Sequence, residues 1–185
     1  MPPLVVETVR SLKEFVGCEI AVTDWLMMTQ DRIDRFAEAT NDQQWIHVDR
    51  ERAQRESPYG TTIAHGFLTL SLLSHFMKQA IQFRGGVRMG INYGLNRVRF
   101  PSPVRVDSEI RARVGLVSLK ELPDALEAVF SVSLEGHDLE KRNGLSATTL
   151  NDGRHTLQIR GTFLEYEVVK STRSRQCAMM RARER

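Results

Sequence analysis

The stretch IAHGFLTLSLLSHFMKQAIQF, from Ile63 to Phe83, decides the fold that we predict for this chain. It is compatible with a helix throughout, and its apolar residues cover nearly the whole helical circumference. A helix that is apolar on all sides must be buried on all sides, so the remaining chain has to surround it. Lys78, Gln79 and the histidines His65 and His75 leave too short an apolar run for a membrane span.

The pattern changes to that of strands after Gly85-Gly86. Three segments are rich in valine, isoleucine and aromatic residues and are bounded by proline or glycine: Val87 to Phe100, Ser108 to Leu119 and Leu126 to Leu134. Thr156 to Val169 offers a last strand, with a bulge expected at Gly161, and Asp138 to Arg154 reads as a long loop. Short connections favour an antiparallel sheet, so we predict an α+β fold whose sheet wraps the helix.

The first half of the chain is predicted to be mostly helical. Apolar residues recur at helical spacing from Val5 to Val16, and Glu19 to Met28 reads as an extended segment. Thr29 has the character of a helix N-cap, and the helix that it starts ends near Thr40. Val48 to Arg55 is a candidate short exposed helix, followed by a turn at Ser57-Pro58-Tyr59-Gly60.

Length and composition are those of one ordinary globular domain. The chain has 185 residues, of which 41% are hydrophobic and 26% charged. Its net charge of +3 comes from the segment 171–185, which holds five arginines and one glutamate, against 21 basic and 22 acidic residues in the rest. We therefore predict a single domain over residues 1–170 and a basic, disordered tail over residues 171–185, with no nucleic-acid partner.

Compartment and cofactors follow from weaker signals. Cys18 and Cys177 lie far apart and form no cluster with ligand spacing, which favours a reducing compartment and gives no indication of a metal site or a cofactor. The N-terminus carries Glu7 and Glu14 and has no apolar signal segment. We expect a cytoplasmic protein with no membrane partner.

A carboxylate and an imidazole stand five residues apart in Asn41-Asp42-Gln43-Gln44-Trp45-Ile46-His47. Such a pair can move protons near neutral pH, because one environment can hold the two groups with different proton affinities. The spacing alone also fits a turn residue at Asp42 and a surface histidine at His47.

Several separated motifs stand out: the segment 36–42 with His47, the segment 59–67 around His65-Gly66, the segment 92–96 and the segment 98–101. Together they resemble the MaoC-like dehydratase family of hotdog-fold proteins, and within it the NodN-like subgroup of 3-hydroxyacyl-thioester dehydratases and (R)-specific enoyl-CoA hydratases. The match covers roughly Val5 to Leu134, whereas Asp138 to Arg185 does not align with the final hairpin of the family.

The resemblance implies a hotdog fold, with an antiparallel sheet wrapped around a central helix from Ala64 to Phe83, and a homodimer. It also implies a lyase of fatty acid metabolism, which reversibly hydrates trans-2-enoyl thioesters of CoA or acyl carrier protein to (R)-3-hydroxyacyl thioesters. Asp42 and His47 match the family pair that holds the water. Gly66 matches the glycine at the start of the helix, whose N–H suits an oxyanion. Ser74 matches a family serine and fits either a role in orienting Asp42 or His47 or a hydroxyl bonded to its own helix backbone.

Other positions are weaker candidates for substrate binding. Gln44 and Trp45 stand where many such hydratases have asparagine and proline, so contacts with the substrate there are expected to differ. His65 is expected to bond loop backbone rather than to carry a proton. Asn92 and Asn96 fit either hydrogen bonds across the sheet or the lining of the CoA channel.

Two other functions remain compatible with the sequence. One is thioester hydrolysis by an acyl-CoA thioesterase, which needs an activated water near the carbonyl carbon rather than the β-carbon, since a fold does not fix a function. The other is a non-catalytic acyl-thioester-binding protein that keeps the motif as structure.

Overall fold

The computed structural model describes residues 2–123, 125–136 and 155–167 of the chain. Its strands are β1 (Leu4–Val6), β2 (Glu19–Val22), β3 (Leu26–Met27), β4 (Ile81–Phe83), β5 (Val87–Arg99), β6 (Glu109–Glu121), β7 (Ala125–Gly136) and β8 (His155–Glu167). Its helices are a 3-10 helix (Val9–Phe15), α1 (Gln30–Thr40), α2 (Trp45–Val48), α3 (Arg50–Glu56), α4 (Gly66–Ser71) and α5 (Leu73–Ala80).

The main sheet is antiparallel, as short connections predicted. Its strand order is β2-β6-β7-β8-β5, and β3 also pairs with β6. The strands predicted after Gly86 correspond to β5, β6 and β7, and the predicted last strand corresponds to β8. β5 ends the strand order at one side, which leaves it as an edge of the sheet among the described residues.

The core lies between α4 and α5 and one face of β6 and β7. Alternate residues are buried from Ile110 to Leu116 in β6 and from Leu126 to Leu134 in β7, which is the period of a sheet with one covered face. From the helices, Leu68, Leu72, Leu73, Phe76 and Ala80 pack into the same cluster. The strands contribute Ile110, Ala112, Val114 and Leu116 of β6 and Leu126, Ala128, Phe130, Val132 and Leu134 of β7.

The helix α1 begins and ends where the sequence predicted. The Thr29 hydroxyl accepts from the Arg32 N–H at 3.3 Å, as an N-cap does. Asn41 ends the helix with φ 57° and ψ 25°, the left-handed conformation that asparagine tolerates better than most residues. The extended segment before α1 is also confirmed, as the strands β2 and β3.

The helix predicted from Val5 to Val16 is wrong in its first part. Leu4–Val6 forms β1, which pairs in parallel with β4, and only Val9–Phe15 is helical, as a 3-10 helix. The three-residue spacing of Val9, Leu12 and Phe15 fits a 3-10 helix, in which such residues lie above one another. The valines at positions 5 and 6 favour a strand once β4 supplies a partner.

The central helix is shorter than predicted and interrupted at Leu72. It begins at Gly66 rather than Ile63 and ends at Ala80, because Ile81–Phe83 forms β4 against β1. The expectation that it is buried on all sides is also wrong for the single chain. The sheet covers one face, and the other face exposes Phe67, Ser71, Ser74 and His75, with Phe67 68% exposed.

The bulge expected at Gly161 lies instead on the neighbouring strand. Leu95 pairs with Gly161 and Arg97 pairs with Arg160, so Asn96 of β5 is the extra residue, while β7 passes Gly161 in regular register. The loop predicted from Asp138 to Arg154 and the tail predicted after Lys170 fall outside the described residues. Within the described part of the chain, none of the helices has the length and apolar character needed to span a bilayer.

Candidate active site

Asp42 is placed by the way in which α1 ends. The left-handed turn at Asn41 reverses the chain, and the Asp42 N–H then donates to the Ala37 carbonyl at 3.1 Å. The Asp42 side chain stays 52% exposed. The carboxylate is therefore held by its backbone at a fixed point while it remains open to water or a ligand.

His47 lies on α2 and is buried, with 7% of its surface exposed. Its main-chain N–H donates to the Gln44 carbonyl at 2.9 Å, and its carbonyl accepts from the Gln30 side chain at 2.7 Å. Its ring Nδ1 lies 2.7 Å from the Ile63 carbonyl oxygen. Both the backbone and the ring of His47 are thus fixed from neighbouring segments.

The contact with Ile63 determines which ring nitrogen of His47 carries the proton. A carbonyl oxygen only accepts, so Nδ1 must donate, and the neutral ring then keeps a lone pair at Nε2. Burial lowers the pKa of His47 below its ordinary value of 6.5, and the neighbouring His65 lowers it further, against opposing effects of the Ile63 carbonyl and Asp42. The lowered pKa favours the neutral ring, which has its free lone pair at Nε2.

His65 is brought beside His47 by an extended segment. The Ile63 N–H donates to the Ile46 carbonyl, and this segment also bonds to Val104 and Val106. His65 is 3% exposed, and its Nε2 lies 3.0 Å from the main-chain carbonyl of Asp42. The rings of His47 and His65 stack with centroids 3.7 Å apart at 25°.

The structure thus brings three predicted residues into one cluster. One ligand-type atom from each of Asp42, His47 and His65 lies within 4.8 Å of the others. That set contains the donor types of a metal site. Each imidazole already shares one ring N–H with a main-chain carbonyl, that of Ile63 for His47 and that of Asp42 for His65. One nitrogen of each ring is therefore already engaged.

Gly66 follows His65 directly and begins α4. The first N–H groups of a helix have no acceptor within the helix, so the N–H of Gly66 is available to a ligand. A Cβ at this position would lie 3.1 Å from the ring of Phe100. Packing against Phe100 is thus a reason for glycine here that the sequence did not reveal.

Ser74 of α5 and Asn92 of β5 lie outside this cluster. The side-chain amide of Asn92 approaches the Ser74 hydroxyl at 3.5 Å, which is the outer limit of a hydrogen bond. Both line a groove of about 450 Å³ between the central helix and β5, with Leu70, Ser71, Leu73, Tyr93, Gly94 and Leu95. The described contacts of Ser74 do not include Asp42 or His47.

Gln44 and Trp45 lie between Asp42 and His47 in the chain, whereas Asn96 lies on β5. Gln44 is exposed at the start of α2, and Trp45 is partly buried with the Arg52 guanidinium 4.5 Å above its ring. That cation–π contact occupies one face of the indole. Asn96 is the exposed bulge residue of β5.

A model of the MaoC like domain matches residues 13–131. The 3-hydroxyacyl-thioester dehydratase Z of Mycobacterium tuberculosis is 46% identical over 130 residues, which cover 70% of this chain and 85% of that protein. The chain belongs to the MaoC-like family. Nodulation protein N of Rhizobium leguminosarum is 52% identical over 106 residues, covering 55% of this chain and 63% of that protein.

Solved structures agree on the fold of this MaoC-like chain. An R-hydratase from Pseudomonas aeruginosa superposes with a TM-score of 0.61 at 18% identity, covering 82% of each chain. An (R)-hydratase from A. caviae gives a TM-score of 0.57 at 19% identity, over 77% of this chain and 91% of that one. The hotdog fold expected from the sequence motifs is confirmed.

A buried network around the MaoC-like site was not predicted from the sequence. The Thr62 hydroxyl donates to the Gln30 side-chain oxygen at 2.6 Å, and the Gln30 nitrogen donates to the His47 carbonyl and to Asp34. Gln30 precedes Ile33 and Ala37 on one buried face of α1. A glutamine at the head of an otherwise apolar stripe is a signal that could have marked it.

We expect the pKa of His47 to make this domain less stable in acid. The unfolded chain binds a proton at this residue near pH 6.5, whereas the folded protein resists it until a lower pH. The free energy of unfolding should therefore fall as the pH drops below about 6.5, in part through His47. His47→Asn, whose amide can still donate to Ile63, removes this contribution.

Urea unfolding of the wild type and of His47→Asn, at pH values about one unit apart between about 8 and 5, measures the difference in their free energies of unfolding. The stability of the wild type relative to the variant should decline with falling pH. A difference that stays constant or grows in favour of the wild type would contradict the lowered pKa of His47.

Proposed function

We propose that this chain reversibly hydrates trans-2-enoyl thioesters, carried by CoA or acyl carrier protein, to (R)-3-hydroxyacyl thioesters. The observation that carries the proposal is the placement of the Asp42 carboxylate beside the buried, neutral ring of His47, within 4.8 Å. The 46% identity with a protein named 3-hydroxyacyl-thioester dehydratase Z supports the same reaction class. The MaoC-like family and this relative support a hydratase or dehydratase that acts on thioesters.

One water between Asp42 and His47 fits this spacing. Two groups separated by up to 4.8 Å can both contact a single water, since each hydrogen bond to it spans about 2.8 Å. Nε2 of His47 has the lone pair that can accept a proton from that water. The carboxylate of Asp42 accepts its second hydrogen and thereby orients the oxygen.

In hydration, the water oxygen bonds to the β-carbon of the enoyl group while His47 takes one of its protons. The electron pair of the double bond moves to the thioester, which becomes enolate-like. The proton taken up by His47 then passes to the α-carbon, so that one H and one OH have been added. Each positioned acid or base contributes roughly 10² to 10⁴ in rate.

The enolate-like oxygen needs a hydrogen-bond donor. The N–H of Gly66 stands at the start of the central helix, directly after His65, where a main-chain donor can face a developing negative charge. The groove lined by Leu70, Leu73 and Leu95 offers apolar walls for an acyl chain, with Ser74 and Asn92 at its side. We assign substrate positioning to Gly66, Ser74 and this groove.

Replacing Asp42 by Asn, or His47 by Asn, should lower kcat for hydration of crotonyl-CoA by roughly 10² or more. Asp42→Asn keeps size but loses the carboxylate. His47→Asn keeps a donor for Ile63 but loses Nε2. Loss of the enoyl absorbance measures hydration, and a thiol reagent measures hydrolysis in the same sample.

The same assay separates the three functions. Loss of absorbance without free thiol is expected, whereas release of thiol would indicate a thioesterase and an unchanged sample would favour a binding protein. His75→Asn, at an exposed histidine on α5, is the matched control and should keep wild-type activity. Near wild-type kcat in either site variant would make that residue structural.

We further propose that the chain forms a homodimer through β5. This strand of 13 residues ends the strand order, so one side of its backbone lacks a strand partner among the described residues. It exposes Met89, Ile91, Tyr93 and Leu95, and Phe67 and Phe100 are exposed nearby. A long apolar edge strand is prone to pair with another chain, and a second copy supplies a matching edge.

The wild type should sediment as a dimer at micromolar concentration. Ile91→Asp places a charge on the proposed interface and should shift the protein towards a monomer, because burying an unpaired carboxylate is costly. Val16→Asp, at an exposed valine next to β2, is the control and should remain dimeric. A monomeric wild type, or an Ile91→Asp variant that stays fully dimeric, would contradict this interface.

A further inference from the structure

We infer that His65 is a positioning residue, which holds Asp42 by its main chain and His47 by its ring and so fixes the distance between them. The inference rests on the proposed function, because it explains how the two groups of that reaction are kept in register. His65 belongs to neither α1 nor α2, yet it contacts a residue from the end of one and a residue of the other.

The first contact fixes Asp42. The His65 Nε2 lies 3.0 Å from the Asp42 carbonyl oxygen, and since a carbonyl only accepts, Nε2 carries the proton. The Asp42 carboxylate is 3.9 Å from the same nitrogen, beyond a hydrogen bond. His65 therefore holds the backbone of Asp42 and leaves its carboxylate free for a water.

The second contact fixes the ring of His47. The His65 ring contacts Phe36, with ring centroids 5.1 Å apart at 53°, and stacks on His47, with centroids 3.7 Å apart. Together with the bond from His47 to Ile63, the stacking restricts the ring of His47 to one orientation.

The burial of His65 fits a positioning role and not a role in proton transfer. His65 is 3% exposed, and its Nδ1 is buried with no hydrogen-bond partner among the described residues. Neither ring nitrogen of His65 is therefore placed to exchange a proton with a substrate, since Nε2 is engaged by a carbonyl and Nδ1 is enclosed. His65 acts through Asp42 and His47.

The stacked pair also has an electrostatic consequence. Two imidazoles 3.7 Å apart resist carrying charge together, and His65 is one of the causes that lower the pKa of His47. The titratable groups that influence His47 are Asp42, at the end of α1, and His65, just before α4. Without the imidazole at position 65, the pKa of His47 should rise.

Two substitutions at position 65 each remove one of the two contacts and keep the other. His65→Phe keeps a ring against Phe36 and His47 but has no donor for the Asp42 carbonyl. His65→Gln keeps an amide donor with about the reach of Nε2 but loses the stacked ring. His75→Phe and His75→Gln, at an exposed histidine, are the matched controls.

With crotonyl-CoA as the probe, His65→Phe should lose at least about 10-fold in kcat with little change in KM, because Asp42 is no longer held in place. His65→Gln should recover part of that loss. In both variants the acid limb of the kcat/KM profile should move to higher pH, and the NMR titration of the His47 ring should show the same rise without substrate. Both controls should match the wild type.

The outcomes separate this inference from the proposed function. A wild type without hydratase activity overturns both. An active wild type whose His65→Phe variant keeps full kcat and an unchanged His47 titration overturns only the role of His65. If neither His65 variant folds, as judged by circular dichroism, His65 is a residue of the core and the inference is wrong.

Discussion

The hydrogen bond from the Nδ1–H of His47 to the Ile63 carbonyl oxygen, at 2.7 Å, ties the buried ring of His47 to the extended segment beside it. It fixes the tautomer of His47 and aligns the extended segment through Ile63, whose N–H in turn bonds to the Ile46 carbonyl. His65 and Gly66 follow this segment directly, so their positions depend on the same contact. The burial of the His47 ring is tolerable because this donor is satisfied.

The two proposed proton-transfer groups stand in different surroundings. His47 is buried and its pKa is lowered, whereas the Asp42 side chain is about half exposed. Such a difference lets two titratable groups take different tasks at one pH. Gln30, held by the Thr62 hydroxyl, donates to the His47 carbonyl and so keeps α2 against α1. This network maintains the difference between the surroundings of His47 and Asp42.

The ends of α1 and the buried face of β6 could be predicted from the sequence, because local rules determine them. The cap at Thr29 and the left-handed turn at Asn41 are properties of single residues, and the alternation from Ile110 to Leu116 follows from one covered face. The motifs around Asp42, His47 and Gly66 then indicated the family, which the comparisons confirm.

The end of the central helix and the packing around the site could not be predicted, because they depend on contacts between distant segments. The central helix ends at Ala80 because β1, 77 residues earlier, pairs with Ile81–Phe83. The stacking of His47 on His65 and the packing of Phe100 on Gly66 likewise need the folded chain. A helix pattern read alone also cannot tell which side a sheet leaves open, so Phe67 was expected to be buried.

The central claim is that Asp42 and His47 act on one water. A double-mutant cycle of Asp42→Asn and His47→Asn, measured by kcat for crotonyl-CoA hydration, tests this most directly. If both groups hold the same water, the double variant should lose about as much as the more impaired single variant. Losses that multiply in full would show that the two residues act independently, and the shared-water account would then be wrong.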